Sequence, residues 1–196
     1  MNHSRINTNS EKRDHPPGDL AIWIFILAEL LVFGVLFSAY GFTRINNLEL
    51  FNYFQQQLNR DTALINTLAL ITSSYFVFMA VRAVKSSHSN ESFKWLVAAI
   101  IMGLVFVMVK GVEYSHHLGN GVNLSTNTFY MFYLSLTFFH FMHVILGLVI
   151  LTAIARKTYR GGYHADDMNG MESGASYWHM VDLVWLILFP LVYVMR

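Results

Sequence analysis

Two short stretches carry most of the residues capable of chemistry. HFMH, His140 to His143, and HMVD, His179 to Asp182, each place two metal-capable side chains at i and i+3, on one face of a helix. Imidazole with carboxylate suits zinc or iron, and facing helices that each present two ligands resemble half of a bundle-type metal centre. Against a metal, di-iron bundles recruit about six ligands, mostly Glu, and Glu29 is the one glutamate expected at mid-membrane depth. His179 also falls roughly 10 Å from the midpoint of its segment while His140 falls near its own, so the four would not meet at one level. With Cys absent, thiolate sites and disulfides are excluded.

These residues stand in unusually apolar surroundings. The 196-residue chain is 55% hydrophobic and 13% charged, with 16 Phe, 10 Tyr and 10 Met, a composition of membrane proteins. Crossing a bilayer takes about 20 apolar residues per helix. Five stretches qualify, near 20–42, 62–84, 93–114, 128–155 and 176–195. The expected fold class is all-α, an integral membrane five-helix bundle forming a single domain over 20–196. Residues 1–19 lack the apolar core of a signal peptide and are expected to form a disordered cytoplasmic tail. Between the first two spans, LELFNYFQQQLNR has an amphipathic pattern suited to lying along the outer surface. Gly34 and Ser38, four apart, would permit close helix contact.

Charge placement predicts orientation. Arg5, Lys12, Arg13, Arg82, Lys85, Lys94, Arg156, Lys157 and Arg160 fall on one side, against Arg44, Arg60 and Arg196 on the other. The positive-inside rule then puts the N-terminus in the cytoplasm and the C-terminus outside. A net charge of +1 with no basic patch gives no sign of a nucleic-acid partner.

Ionisable residues within membrane spans are rare because desolvation costs several kcal/mol, so they should face protein. At about 1.5 Å per residue, Glu29, His143 and Asp182 fall near one level and are expected to form one polar cluster. The plainer reading of His140, His143, His179 and Asp182 is an intramembrane network joining helices, with Asp182 accepting from a histidine and tryptophans adding donors; Asn66 is a further buried polar candidate. Proton or ligand traffic is the remaining reading, with Glu29 its best candidate, since a carboxyl group is costly to keep charged there. Lys110 and Glu113 form an i,i+3 pair expected to be a local salt bridge at a helix end. Trp23, Trp95, Trp178 and Tyr193 are assigned to aromatic belts at helix ends. HADD, His164 to Asp167, could catch a metal but reads better as a solvated loop.

The stretches WIFILAELLVF (Trp23 to Phe33), EYSHHL (Glu113 to Leu118), FHFMHVILG (Phe139 to Gly147) and YWHMVDLVWLILFPLVYV (Tyr177 to Val194) resemble subunit III of the haem-copper oxidases, in the family's order and across four of the five spans. The chain looks like the short five-helix form, which lacks the first two of seven helices. Short forms occur in bacterial quinol oxidases and as the accessory protein encoded with cytochrome c-dependent nitric oxide reductase. LINTLALITSSYFVFMAVRA (Leu64 to Ala83) and the C-terminal ESGASYWHMVDLVWLILFPLVYVMR most resemble the nitric oxide reductase type, whereas EYSHHLGNG is similar to the quinol oxidase type.

The resemblance implies no catalytic residue and no haem, copper or other redox centre in this chain; haem with iron or copper would belong to a catalytic partner subunit in the membrane. It implies a role in assembly, sustained turnover, or access of gas and protons. Glu29 aligns with the family's carbodiimide-reactive buried carboxylate, and His143 and Asp182 with its recurrent histidine and aspartate. Phospholipid held between helix groups is also implied, in a cleft left incomplete without the first two helices. A stand-alone proton-coupled transporter fits less well, since no repeat or broken helix pair is present.

Overall fold

A computed structural model describes residues 20–163 and 168–195. Both HADD and the tail of residues 1–19 lie outside the described residues. The chain runs α1 (Leu20–Asn46), α2 (Leu48–Gln56), α3 (Arg60–Lys85), α4 (Ser89–Gly119), α5 (Thr128–Tyr159) and α6 (Asn169–Phe189), the last continuing through one π-helical turn, Pro190–Val194. All are helical, and five are long and apolar enough to cross a membrane.

The helices run past the expected spans at most ends. α4 extends to Gly119 rather than stopping near Tyr114, and α6 begins at Asn169 rather than near Ser176. The reason is that a helix needs only its backbone ladder, not apolar side chains, once it leaves the hydrocarbon. At about 1.5 Å per residue, the 32 residues of α5 exceed the roughly 30 Å core by several turns. Asparagines set two starts: Asn59 accepts from the Thr62 N–H at 3.1 Å, and Asn127 from the Tyr130 N–H at 2.8 Å.

Packing makes α3, α4, α5 and α6 a closed ring, each in contact with the next and α6 returning to α3. Ser73 ties α3 to α4 by donating to the Ala99 carbonyl at 2.8 Å, and the Trp185 indole N–H ties α6 to α3 through Thr67 at 2.9 Å. α1 stands at the margin, buried in its membrane portion along the narrow seam Ile26, Phe33 and Tyr40, seven residues apart. Gly34 and Ser38 lie away from that seam. The Ser38 hydroxyl bonds back to the Gly34 carbonyl at 2.8 Å, and nothing stands within 4 Å of a methyl group placed on Gly34, so among the described residues this pair makes no close helix contact.

Close approach happens elsewhere. A methyl group on Gly103 would lie 2.7 Å from Leu148 and 3.0 Å from Trp178, and one on Gly147 would lie 2.7 Å from Trp178. Trp178 is thus seated between α4 and α5 in a slot that only glycine leaves open. It is fully buried, as is Tyr193, so neither belongs to an interfacial belt. α2 lies across the bundle end with Phe51 edge-on to Tyr40 and Phe129, at 5.3 and 5.5 Å between centroids. At the same end, Arg44 donates to the Met195 carbonyl at 2.6 Å and to Asn52 at 3.3 Å.

Candidate functional site

The fold brings Glu29 of α1 to His143 of α5, with Nε2 and Oε2 3.0 Å apart. Near the middle of α5, the Nδ1 of His143 bonds to the Phe139 carbonyl at 2.7 Å. A carbonyl only accepts, so Nδ1 carries a hydrogen. Two bare acceptors cannot face each other at 3.0 Å, so a further hydrogen lies between Nε2 and Oε2. The pair is therefore either imidazole with carboxylic acid or imidazolium with carboxylate, and net neutral in both forms. Phe33 packs edge-on to the imidazole at 5.3 Å, and the Tyr177 hydroxyl donates to the His143 carbonyl at 3.3 Å.

Asp182 does not join them. It is buried on α6 and bonds to no histidine; the Ser74 hydroxyl, which also meets His179, is the side chain that interacts with its carboxyl group. His140 Nε2 donates to the Val181 carbonyl at 3.1 Å, while its Nδ1 is unpartnered among the rings of Phe106 and Trp185. His179 Nδ1 meets the Ser74 hydroxyl at 2.6 Å, joining α6 to α3. Asn66 is fully buried with both amide atoms unpartnered, and Trp178 N–H makes no bond either. The single cluster expected from depth alone divides, because depth fixes position along an axis and not rotation about it. Residues at one level on α1, α5 and α6 point to different neighbours. Among the described residues no three His, Asp or Glu side chains gather as a metal shell, so HFMH and HMVD do not converge.

The largest polar assembly is centred on Lys110, which lies nine residues before the end of α4 and is fully buried, not at a helix end. Its ammonium donates to Glu113 at 2.9 Å and to the hydroxyls of Tyr193 at 2.6 Å and Tyr133 at 3.4 Å. Both phenols also bond to Glu113 Oε1, Tyr193 at 3.1 Å. Four aromatic rings, Tyr114, Tyr133, Trp185 and Tyr193, stand 5.3 to 5.6 Å from the ammonium nitrogen. A buried ion is tolerated only with such compensation, since effective desolvation costs several kcal/mol per charge. The π-helical turn at Pro190–Val194 carries Tyr193, so the local irregularity of α6 lies where this cluster is completed. Sequence reasoning missed Tyr133 and placed Tyr193 in a belt; the available signal was that the start of α5 and the end of α6 lie at the same end of the bundle as the second half of α4.

Five helices long and apolar enough to cross a membrane define a multi-pass membrane protein. Residues 18–196 match cytochrome c oxidase subunit III, and the chain belongs to that family of the haem-copper oxidases. It is 34% identical to cytochrome c oxidase subunit 3 of Thermostichus vulcanus over 90% of this chain and 86% of that one. To the probable quinol oxidase subunit 3 of Staphylococcus saprophyticus it is 25% identical, over 98% of this chain and 96% of that relative. A third relative, the heme-copper oxidase subunit I+III of Aeropyrum pernix, is 30% identical over 88% of this chain, which corresponds to 22% of the longer protein. These relatives and the five spans mark a multi-pass bacterial membrane protein.

Proposed function

We propose that the chain is a non-catalytic subunit III that packs beside the catalytic subunit of a haem-copper superfamily enzyme and supports its assembly, stability or turnover. The observation that carries this is the relative in which segments called I and III share one polypeptide, with this chain matching 22% of its length. Haem with iron or copper would reside in the partner; the Lys110 cluster would serve helix packing, and Glu29 with His143 helix packing or proton exchange. Relatives' names favour a terminal oxidase fed by quinol or cytochrome c. The second reading, the accessory protein of cytochrome c-dependent nitric oxide reductase, is supported by Leu64 to Ala83 and by the C-terminal stretch from Glu172. In either complex the N-terminus would be cytoplasmic, the C-terminus outside, and phospholipid a neighbour.

Gentle purification of the tagged chain from its native membrane, followed by a reduced-minus-oxidised visible spectrum, separates these readings. An a- or o-type haem with a large multi-helix partner supports the oxidase. Haem b with haem c supports nitric oxide reductase. No haem and no partner, in detergents that preserve known complexes, overturns the proposal.

A further inference from the structure

A cavity of about 750 Å³ opens where the last turns of α4 meet the α2–α3 connection and the start of α3. It shares no lining residue with the Glu29–His143 pair. One wall is Met108, Val109 and Val112, and Met108 and Val112 are 62% and 71% exposed, so this wall continues into the lipid-facing surface of α4. The opposite end is polar and includes Gln57, Glu113 and His117. Glu113 spends Oε1 on Lys110 and two phenols, while its Oε2 has no partner. The side chains of Gln57 and His117 make no hydrogen bond among the described residues; the His117 ring stands 5.7 Å from Tyr133, 6.0 Å from Tyr130 and 6.2 Å from His116. Among the described residues no lysine or arginine lines the cavity, and the nearby Lys110 ammonium is committed to its own cluster.

We propose that this cavity binds one neutral amphiphile whose head donates hydrogen bonds through hydroxyl groups and whose apolar tail lies along Met108 and Val112. The polar end holds one acceptor-only group, the Glu113 carboxyl, beside the Gln57 amide and the His117 imidazole, each of which can accept as well as donate. A head made of hydroxyl groups, which donate and accept alike, suits such a mixed set. A phosphate or carboxylate head would meet a carboxyl group with no cation free to offset it. The volume falls within the usual 300–1,000 Å³ for small-molecule sites, enough for a ring or glycerol head with the first part of a tail. Two sources share this chemistry: an isoprenoid hydroquinone and a diacylglycerol.

The test uses the full chain with whatever subunits purify with it, in phosphatidylcholine nanodiscs, titrated with a short-tailed hydroquinone and separately with dioctanoylglycerol. One saturable site is expected for at least one of them. Val109→Phe, which fills the apolar wall, should weaken that binding by at least about ten-fold, and Gln57→Ala by roughly three- to ten-fold through one lost hydrogen bond. Saturation by the hydroquinone alone identifies an aromatic diol head, and saturation by dioctanoylglycerol alone a glycerol head. Saturable binding of neither, binding unchanged in both variants, or equal competition by phosphatidylglycerol overturns the proposal. Gln57 is exposed, so its variant remains informative if Val109→Phe fails to fold.

Discussion

At the residue scale, two kinds of buried polarity behave differently. The Lys110 cluster is an ion pair, so removing one partner is worse than removing both. Lys110→Met, which strands Glu113 among phenols, should lower stability by about 3–5 kcal/mol in detergent unfolding, and adding Glu113→Gln should restore most of it. If the double variant is no better than the single one, the aromatic cage and not the charge balance governs this site. Glu29 and His143 instead share a hydrogen. Glu29→Gln keeps a donor for Nε2 and should cost little, whereas Glu29→Leu leaves Nε2 unpaired and should cost about 1–3 kcal/mol. Equal losses would mean that the side chains merely fill space. A hydrophobic carbodiimide should label the wild type at Glu29, and peptide mass spectrometry of Glu29→Gln should show that label gone.

At the element scale, α6 is held by shape as much as by polar contacts. Its Trp178 fits between Gly103 and Gly147, and a second tight contact sets Gly174 against Ile154 of α5. Gly147→Ala forces a methyl group into the indole and should destabilise the bundle by about 1–3 kcal/mol; in a Trp178→Phe background the added cost should largely vanish. Melting of the four proteins in one detergent completes the cycle, and an undiminished cost with phenylalanine would show that the indole is not what the glycine accommodates. α1 presents the contrast, since its narrow seam leaves most of its apolar surface outside the ring.

For the whole molecule, the distribution of Lys and Arg in the connections predicts an orientation with the N-terminus cytoplasmic. The absence of cysteine makes this directly measurable. Asn90 and Ser125 are exposed, beside the starts of α4 and α5 at opposite ends of the bundle. A membrane-impermeant maleimide applied to intact cells should modify Ser125→Cys and spare Asn90→Cys until the membrane is opened. The reverse pattern would invert the topology and place the cavity beside α4 on the cytoplasmic side.

Sequence by itself determined the class, the five spans and the amphipathic α2, because hydrocarbon admits only long apolar helices and that requirement is written residue by residue. Motif order likewise identified the family. It did not determine which polar groups meet. Glu29, His143 and Asp182 share a depth, yet rotation of each helix pairs the first two and leaves the third apart, and rotation is set by packing between elements distant in sequence. The same physics hid the Lys110 cluster, whose four members span 83 residues from Lys110 to Tyr193. It also moved Trp178 and Tyr193 from an expected belt to the core: a tryptophan suits a lipid interface or a glycine-lined slot equally well, and only the approach of α4 and α5 to α6 decides which one exists.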